Sequence, residues 1–446
     1  MAKRRWFVLV LLLCAPTIAL AQAAIPDTAA GRTFKAFLDA FNSGDRANIE
    51  AYYRTYGDTS NPNAMPPPDA QMQFRNMTGG FDVLQIVKSE PLHLEAVVKE
   101  RNSSNKGLAT LDVKQGEPAT VVDMQIPLLP PGFSVSDLNN VILDAATKAR
   151  VIDGALAKLN EFYVSPDVAR QMEEAIRVRQ KKGEFDSVTE GSMFAAMLMQ
   201  DLREVSHDKH LRVNFSPVPL PEQPPDGKPS PEALAAMRKQ MERRNCGFEN
   251  VQVLADNVGY VKFDMFADPD ICGPTAIAAM NFLANADAVI FDLRANGGGD
   301  PRMVSLICTY LFAEPTHLND IWERKSDTTQ QYWTLPYVPG KRLDTKPAFV
   351  LTSKQTFSGA EEFTYDLQNL KRATVVGETT GGGAHLVRGE RIDAHFMIVV
   401  PFAKAVNPIS KTDWEGTGVI PDVKVPAGEA LSTAEKLAAQ KLAVAH

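Results

Sequence analysis

Apolar and polar positions follow different periods along the chain, and the changes of period divide it. In RTFKAFLDAF, Phe34, Phe37, Leu38 and Phe41 fall at helical spacing. Asn-Ser-Gly-Asp then breaks that helix before a second short one. DVLQIVKSE, HLEAVVKER, GLATLDVKQ and TVVDMQIPL each alternate apolar and polar residues, as half-buried antiparallel strands do. Helices first and a meander after predict an α+β layer over residues 25–135. PLLPPGF punctuates the chain at 127–133.

Helical periods dominate from 138 to 215, in LDAATKARVIDGALAKLNEFYV, PDVARQMEEAIRVRQKKGEF and SVTEGSMFAAMLMQDLREV. A proline-rich loop, PVPLPEQPPDGKPSPEA, and a helix fill 216–245. Residues 246–430 alternate the strands VGYVKF, ADAVIFDL, PAFVLTS, ATVVGE and HFMIVVPF with apolar helices. A continuous run such as AVIF implies burial on both faces, hence a mixed, partly parallel α/β sheet. Residues 431–446 close the chain as a helix or tail. The opening helix-break-helix and meander is similar, in topology alone, to the cone-like folds of the nuclear transport factor 2 class.

With 446 residues, 44% of them hydrophobic and 23% charged, the chain has material for two or three globular domains. Its first residues stand apart. Lys3, Arg4 and Arg5 precede an apolar run from Trp6 to Leu13 that is too short to span a bilayer, and Ala19-Leu20-Ala21 fits a cleavage site. Residues 1–21 therefore read as a secretory signal peptide, with a retained anchor as the alternative. Leu13 is too bulky for lipidation at Cys14. The expectation is export, to a periplasmic or extracellular location, with no stable membrane insertion afterwards. Without the leader, 44 Lys and Arg face 54 Asp and Glu, a net charge of −10. An acidic body with no basic block argues against nucleic-acid binding. An oxidising compartment permits one disulfide, and Cys246 with Cys272 is the candidate pair. Cys308, in the apolar helix MVSLICTYLF, is expected as a buried free thiol.

Candidate chemistry centres on TSKQTFSGAEEF, residues 352–363. Ser358-Gly-Ala-Glu361 has the form of a capping box. The same placement, after a strand and at a helix N-terminus, gives a serine a positive field and amide donors for an oxyanion. Ser358 is thus a cap, a nucleophile, or both. It does not sit in the G-x-S-x-G turn of α/β-hydrolases. A nucleophile needs a base. His210 and His207 stand in EVSHDKHLRVNF, with His385 and His395 as rivals. No second zinc-type motif accompanies the His207–His210 pair. DLRANGGGD, at 292–300, ends a buried strand in glycines that admit close backbone approach. It lacks the spacing of dinucleotide and phosphate loops. Asp292 and Arg294 in it are expected as an ion pair or as substrate contacts.

DLRANGGG, TSKQTFSGAEEF, VVGETTGGGAH and NPISKTDWEGTGVIPDVKV, in that order, resemble the superfamily of tail-specific (C-terminal processing) proteases, the tricorn core and interphotoreceptor retinoid-binding protein. The resemblance covers residues 140–430 and implies a crotonase-like catalytic domain preceded by a helical subdomain. It implies Ser358 as nucleophile, with oxyanion donors at Gly298, with Gly297 close behind, and at Gly359. The lysine base of one branch is missing, since its turn reads Gly381-Gly382-Gly383. The resemblance then follows the histidine-using branch, with His210 as base and Glu415 as its acid. Ser206 and Thr417 are supporting hydroxyls in that scheme. Glu361 matches a carboxylate of the lysine branch, with a cap role as the simpler account.

These expectations describe an exported serine peptidase acting on extended or unfolded polypeptides through an acyl-enzyme at Ser358. No metal or organic cofactor is implied. No PDZ segment is recognisable, which leaves tail-directed cleavage open. The alternative is a non-catalytic protein that binds an apolar ligand or peptide on the same fold. The N-terminal α+β domain is expected as a dimerisation or spacing module, with a small-molecule pocket as the other reading.

Overall fold

The computed structural model describes residues 23–58, 64–129, 143–220, 222 and 231–445. The leader, the first residues of the helical region and most of the proline-rich loop lie outside them. The chain forms two compact units, 1–135 and 136–446.

In the first unit, three helices precede a four-stranded antiparallel sheet. They are α1 (Ala29–Ser43), α2 (Arg46–Tyr56) and α3 (Pro68–Thr78). The strands are β1 (Phe81–Ser89), β2 (His93–Glu100), β3 (Lys106–Lys114) and β4 (Thr120–Gln125), paired in that order. Thr28 caps α1 by accepting the Gly31 N–H at 3.0 Å, and Gly44 ends it in the left-handed region. The expected apolar stripe, Phe34, Phe37, Leu38 and Phe41, is buried against Phe81, Leu94 and Leu111 of the sheet.

The second unit opens with α4 (Ala145–Phe162), α5 (Pro166–Lys181), α6 (Gly191–Ser206), β5 (Arg212–Phe215) and α7 (Pro231–Arg243). The α/β region follows: β6 (Phe248–Val253), β7 (Val258–Phe263), α8 (Pro269–Phe282), β8 (Ala288–Asp292), α9 (Pro301–Thr309), β9 (His317–Glu323) and β10 (Thr328–Trp333). Then come β11 (Ala348–Thr352), α10 (Gly359–Asn369), β12 (Ala373–Gly377), β13 (His385–Arg391), β14 (Phe396–Val406), β15 (Val423–Lys424) and α11 (Ala430–Ala445).

Six strands, ordered β15-β12-β11-β8-β7-β6, make the main sheet. All its pairings are parallel except β6 with β7. Every residue of β8 and β11 is buried, as an apolar run without alternation requires. Helices α8, α9 and α10 cover one face around Phe263, Phe291 and Phe363. On the other, Ala430, Ala434 and Ala438 bring α11 against Phe349 and Leu351. A second sheet runs β10-β9-β14-β13, with β5 also on β14. Its β14 residues Phe396, Ile398 and Val400 share a separate core with Leu156, Leu198 and Leu202 of α4 and α6, and with Leu211 and Val213 beside them. A disulfide joins Cys246 to Cys272, tying the start of β6 to α8. Cys308 is free and buried. The fold is thus an α/β domain with a helical subdomain, preceded by an α+β domain.

Several strands had no sequence expectation, namely β6, β9, β10, β13 and β15. The residues of β10 are almost all exposed, so no core face imposes a period of two on them.

Candidate active site

The loop after β11 is fastened before it reaches Ser358. Ser353 Oγ donates to the Arg294 carbonyl at 2.5 Å, and Thr356 Oγ1 donates to that of Leu293 at 2.8 Å. These bonds lock the loop onto the glycine segment that follows β8. Ser358 then turns the chain into α10 at φ +54° and ψ −122°. A serine there is strained, and such strain collects where a side chain must be displayed. The expected capping box forms, with Ser358 N–H donating to Glu361 Oε2 at 2.8 Å and the Glu361 N–H directed back at Ser358. Glu361 N–H also donates to the Ser358 carbonyl at 2.8 Å. Ser358 is only half-buried.

The three glycines after Asn296 press against this turn. A Cβ on Gly298, at φ +96°, would lie 2.6 Å from Gly359 N and 2.7 Å from Ser358 Cβ. Yet Gly297 N–H donates to the Asp264 carbonyl at 3.0 Å, and Gly298 N–H to Asn296 Oδ1 at 2.9 Å. Both expected oxyanion amides on this loop are therefore engaged elsewhere. Gly299 bridges Phe266 through its neighbours' bonds. Its own N–H, like that of Gly359, makes no hydrogen bond among the described residues. A Cβ on Gly359 would sit 2.9 Å from Gly299 N, so these two unspent amides are neighbours.

His210 reaches the site from the helical layer. His207 ends α6 at φ +54°, and Asp208 then forms a turn by accepting the His210 N–H at 2.9 Å. The His210 ring is buried, and neither ring nitrogen has a hydrogen-bond partner among the described residues. Its centroid lies 4.6 Å from that of Phe357, the residue before Ser358. Gly383 makes room for both rings; a Cβ there would come within 2.4 Å of Phe357 Cζ and 2.5 Å of His210 Cε1. Burial drives the His210 pKa down to about 4, partly opposed by the Asp208 charge. The ring is thus neutral at ordinary pH, the form a base requires.

Asp208 links two histidines. Its Oδ1 lies 3.9 Å from His210 Nδ1. Its Oδ2 accepts from His385 Nδ1 at 2.6 Å and from the Tyr163 hydroxyl at 3.2 Å. Burial would raise the Asp208 carboxyl, but the bond to His385 and its charge outweigh that and hold it below the usual range. Burial likewise works to lower His385, and the Asp208 bond and charge reverse it, raising the ring. Glu415 accepts the Ala384 N–H at 2.6 Å and stands 3.7 Å from His385 Nδ1. Burial, with Asp208 nearby, raises its carboxyl against the pull of His385. Asp208, His385 and Glu415 offer donor atoms within 4.8 Å of one another, a spacing a metal could use. With His385 Nδ1 bonded to Asp208, an ion pair accounts for the arrangement.

Glu361 fastens the remaining side. It is fully buried and accepts from Thr380 Oγ1 at 2.5 Å, Gly382 N at 2.7 Å and Gly383 N at 2.9 Å, besides Ser358 N. Burial raises its carboxyl, opposed by those bonds. One carboxylate thus holds the Ser358 turn and the glycine turn that makes room for His210.

The structure brings Ser358, Glu361 and His210 to one place and sets Glu415 beside His385. Ser206 accepts the Asp208 N–H at 3.3 Å, while Thr417 Oγ1 turns to the Gly418 carbonyl at 3.4 Å. Asp292 binds Tyr260 and Arg294, both at 2.6 Å, and Arg294 also donates to the Ala427 carbonyl at 2.8 Å. Of the two roles open for that pair, the contacts are those of a structural ion pair. His395 donates its own N–H to Asp393 and pairs its ring with the Ser216 carbonyl.

Residues 257–425 match the sequence model of peptidase family S41, and residues 141–245 match that of the N-terminal domain of peptidase S41 in eukaryotic IRBP. The chain belongs to peptidase family S41. Among solved structures, it is similar to a lipoprotein from Streptococcus agalactiae at 12% identity, covering 66% of this chain and 96% of that one, with a TM-score of 0.45. It is also similar to the photosystem II D1 C-terminal processing protease, at 15% identity over 63% and 94%, with a TM-score of 0.42. The tricorn protease is matched at 13% identity over 79% and 40%, with a TM-score of 0.40. At such scores the likeness carries nothing about chemistry, and the family assignment rests on the two sequence models.

In this S41 chain, Asp208, Tyr163, Asn296 and Gly299 belong to the site without having been expected there. Asp208 had a signal in the sequence, because an aspartate two residues before His210 is a turn former. Tyr163 had none, lying 45 positions from its partner.

Proposed function

We propose that the chain is a serine peptidase that cleaves extended or unfolded polypeptides through an acyl-enzyme. Ser358 Oγ attacks the scissile carbonyl while His210 takes its proton. The N–H groups of Gly359 and Gly299 hold the oxyanion. His210 then gives the proton to the leaving amine, and the C–N bond breaks. Water repeats the cycle on the ester, with His210 again as base, and frees Ser358. Asp208 orients His210 and stabilises its charged form. Glu415 acts one step further out, through His385. The observation that carries this reading is the Ser358 turn itself, strained, exposed on one side, flanked by two unspent amides and backed by an unpartnered imidazole.

Export, to a periplasmic or extracellular location, is part of the proposal. It draws on the basic-apolar leader and on the Cys246–Cys272 disulfide, which suits an oxidising compartment.

The test is cleavage of an unstructured protein such as casein, with labelling by a fluorophosphonate probe. Wild type is expected to cleave and label, Ser358→Ala to do neither, and His210→Ala to lose labelling. Cleavage that survives Ser358→Ala would remove the proposal. The non-catalytic alternative draws on one observation, that neither nitrogen of His210 makes a hydrogen bond to Ser358. Absence of labelling in a folded wild type would favour it.

A further inference from the structure

Behind the nucleophile, α10 carries a second acidic group that the chemistry above does not use. Glu362 and Asp366 are four residues apart, hence on one face, about 100° round from Glu361. Glu362 is 4% exposed and Asp366 0%. Asp366 Oδ1 accepts from Asn407 Nδ2 at 3.1 Å. Glu362 Oε1 and Asp366 Oδ2 have no hydrogen-bond partner among the described residues. Neither carboxylate makes an ion pair among the described residues, and each lies near the other.

A third, independent group faces them. Asn319, in the middle of β9, is 0% exposed, and neither its amide oxygen nor its amide nitrogen finds a partner. Its amide is close enough to act on Glu362. Buried amides are almost always satisfied, so one with both ends open points to a ligand that these groups share. On α9, Cys308 lies close enough to feel both acids. Ser305, one turn earlier on that helix, is 4% exposed with an unpartnered hydroxyl.

The open atoms on α10 and β9 are mainly oxygens: two carboxylates and an amide carbonyl. Oxygen donors select hard cations, and two adjoining carboxylates without a counter-charge call for a divalent one. Calcium tolerates mixed carboxylate, amide and water ligands in irregular geometry, whereas magnesium demands a near-ideal octahedron. We propose that Glu362, Asp366 and Asn319 hold one calcium-class cation behind the helix that carries Ser358, completed by water. Such an ion would clamp α10 to β9 and fix the helix that displays Ser358.

The test is calorimetric titration and thermal melting of the full-length protein, stripped with chelator, against CaCl2, with MgCl2 and NaCl as controls. The expected result is one Ca2+ per chain and a saturable rise in Tm. Glu362→Gln with Asp366→Asn should fold, since the repulsion is gone, and should bind Ca2+ at least tenfold more weakly. Two results would overturn the proposal. One is a wild type with no saturable Ca2+ response; the other is a double variant that binds as well as wild type. A wild type blind to Ca2+, with a double variant more stable at alkaline pH, would assign the pair a shared proton instead. Fluorophosphonate labelling, read separately, keeps this outcome distinct from that of the peptidase proposal.

Discussion

At the scale of single residues, the proposed base has an unusual setting. In the proposed reaction His210 must be neutral to accept the Ser358 proton, and burial puts its pKa at about 4. The rate constant kcat/KM is therefore expected to rise as pH rises through about 4 and to stay level through the usual histidine range. A stopped assay on a fluorogenic peptide from pH 3 to 8 measures this, and an acid limb near 6.5 would contradict it. Asp208→Asn removes the carboxylate that serves both histidines. It is expected to lower kcat by about 10²-fold or more, as loss of an orienting acid does. The Asp208–His385 pair also has a pH signature in stability. The Asp208 carboxyl is held below its ordinary 3.8, so its contribution is present above that value and lost as pH falls below it. The His385 ring is raised above its ordinary 6.5, so its contribution is present below that value and lost as pH climbs through the raised pKa. Melting temperature against pH is expected to flatten at both ends in the Asp208→Asn variant.

At the scale of elements, the strand-turn-helix around Ser358 was legible because its signals are local. The run AFVLT has no polar residue to suggest an exposed face before its final threonine, and Ser-Gly-Ala-Glu follows at a fixed distance. The partners of that turn were not legible in the pattern of the chain and came only from the resemblance, because pairing across 148 positions leaves no period in a sequence. The choice among three consecutive glycines was likewise closed to pattern reading. It depends on Asn296 and Asp264 taking two of the amides, which only the folded loop decides. The glycine turn offers a sharp check. Gly383→Ala would place a methyl 2.4 Å from Phe357 and 2.5 Å from His210. It should cut kcat more than tenfold while Tm moves little, because aromatic rings can yield. At Gly298 the obstacle is backbone, 2.6 Å away at Gly359 N, and φ is +96°. Gly298→Ala should lower both activity and Tm. Equal effects at the two sites, in parallel assays and melts, would count against this account.

At the scale of the molecule, the disulfide closes a loop between residues 26 positions apart. Replacing Cys246 and Cys272 by serine is expected to cost roughly 3 kcal/mol, read from chemical denaturation. The proposed nucleophile and its proposed base belong to different hydrophobic cores. Ala360 and Phe363, just past Ser358, pack into the core over the parallel sheet. Leu211, next to His210, packs with the helices α4 and α6 against β14. Leu198→Ala, inside that helical core, should cost about 2–5 kcal/mol of stability. The void need not stop there. Hydroxyl and imidazole are set by two hydrophobic cores within one compact unit, so slackening one is expected to change the gap between them without altering any atom that meets a substrate. Turnover in such a protein can be tuned from far away, by anything that grips or loosens the helical body, while the serine itself stays where it is.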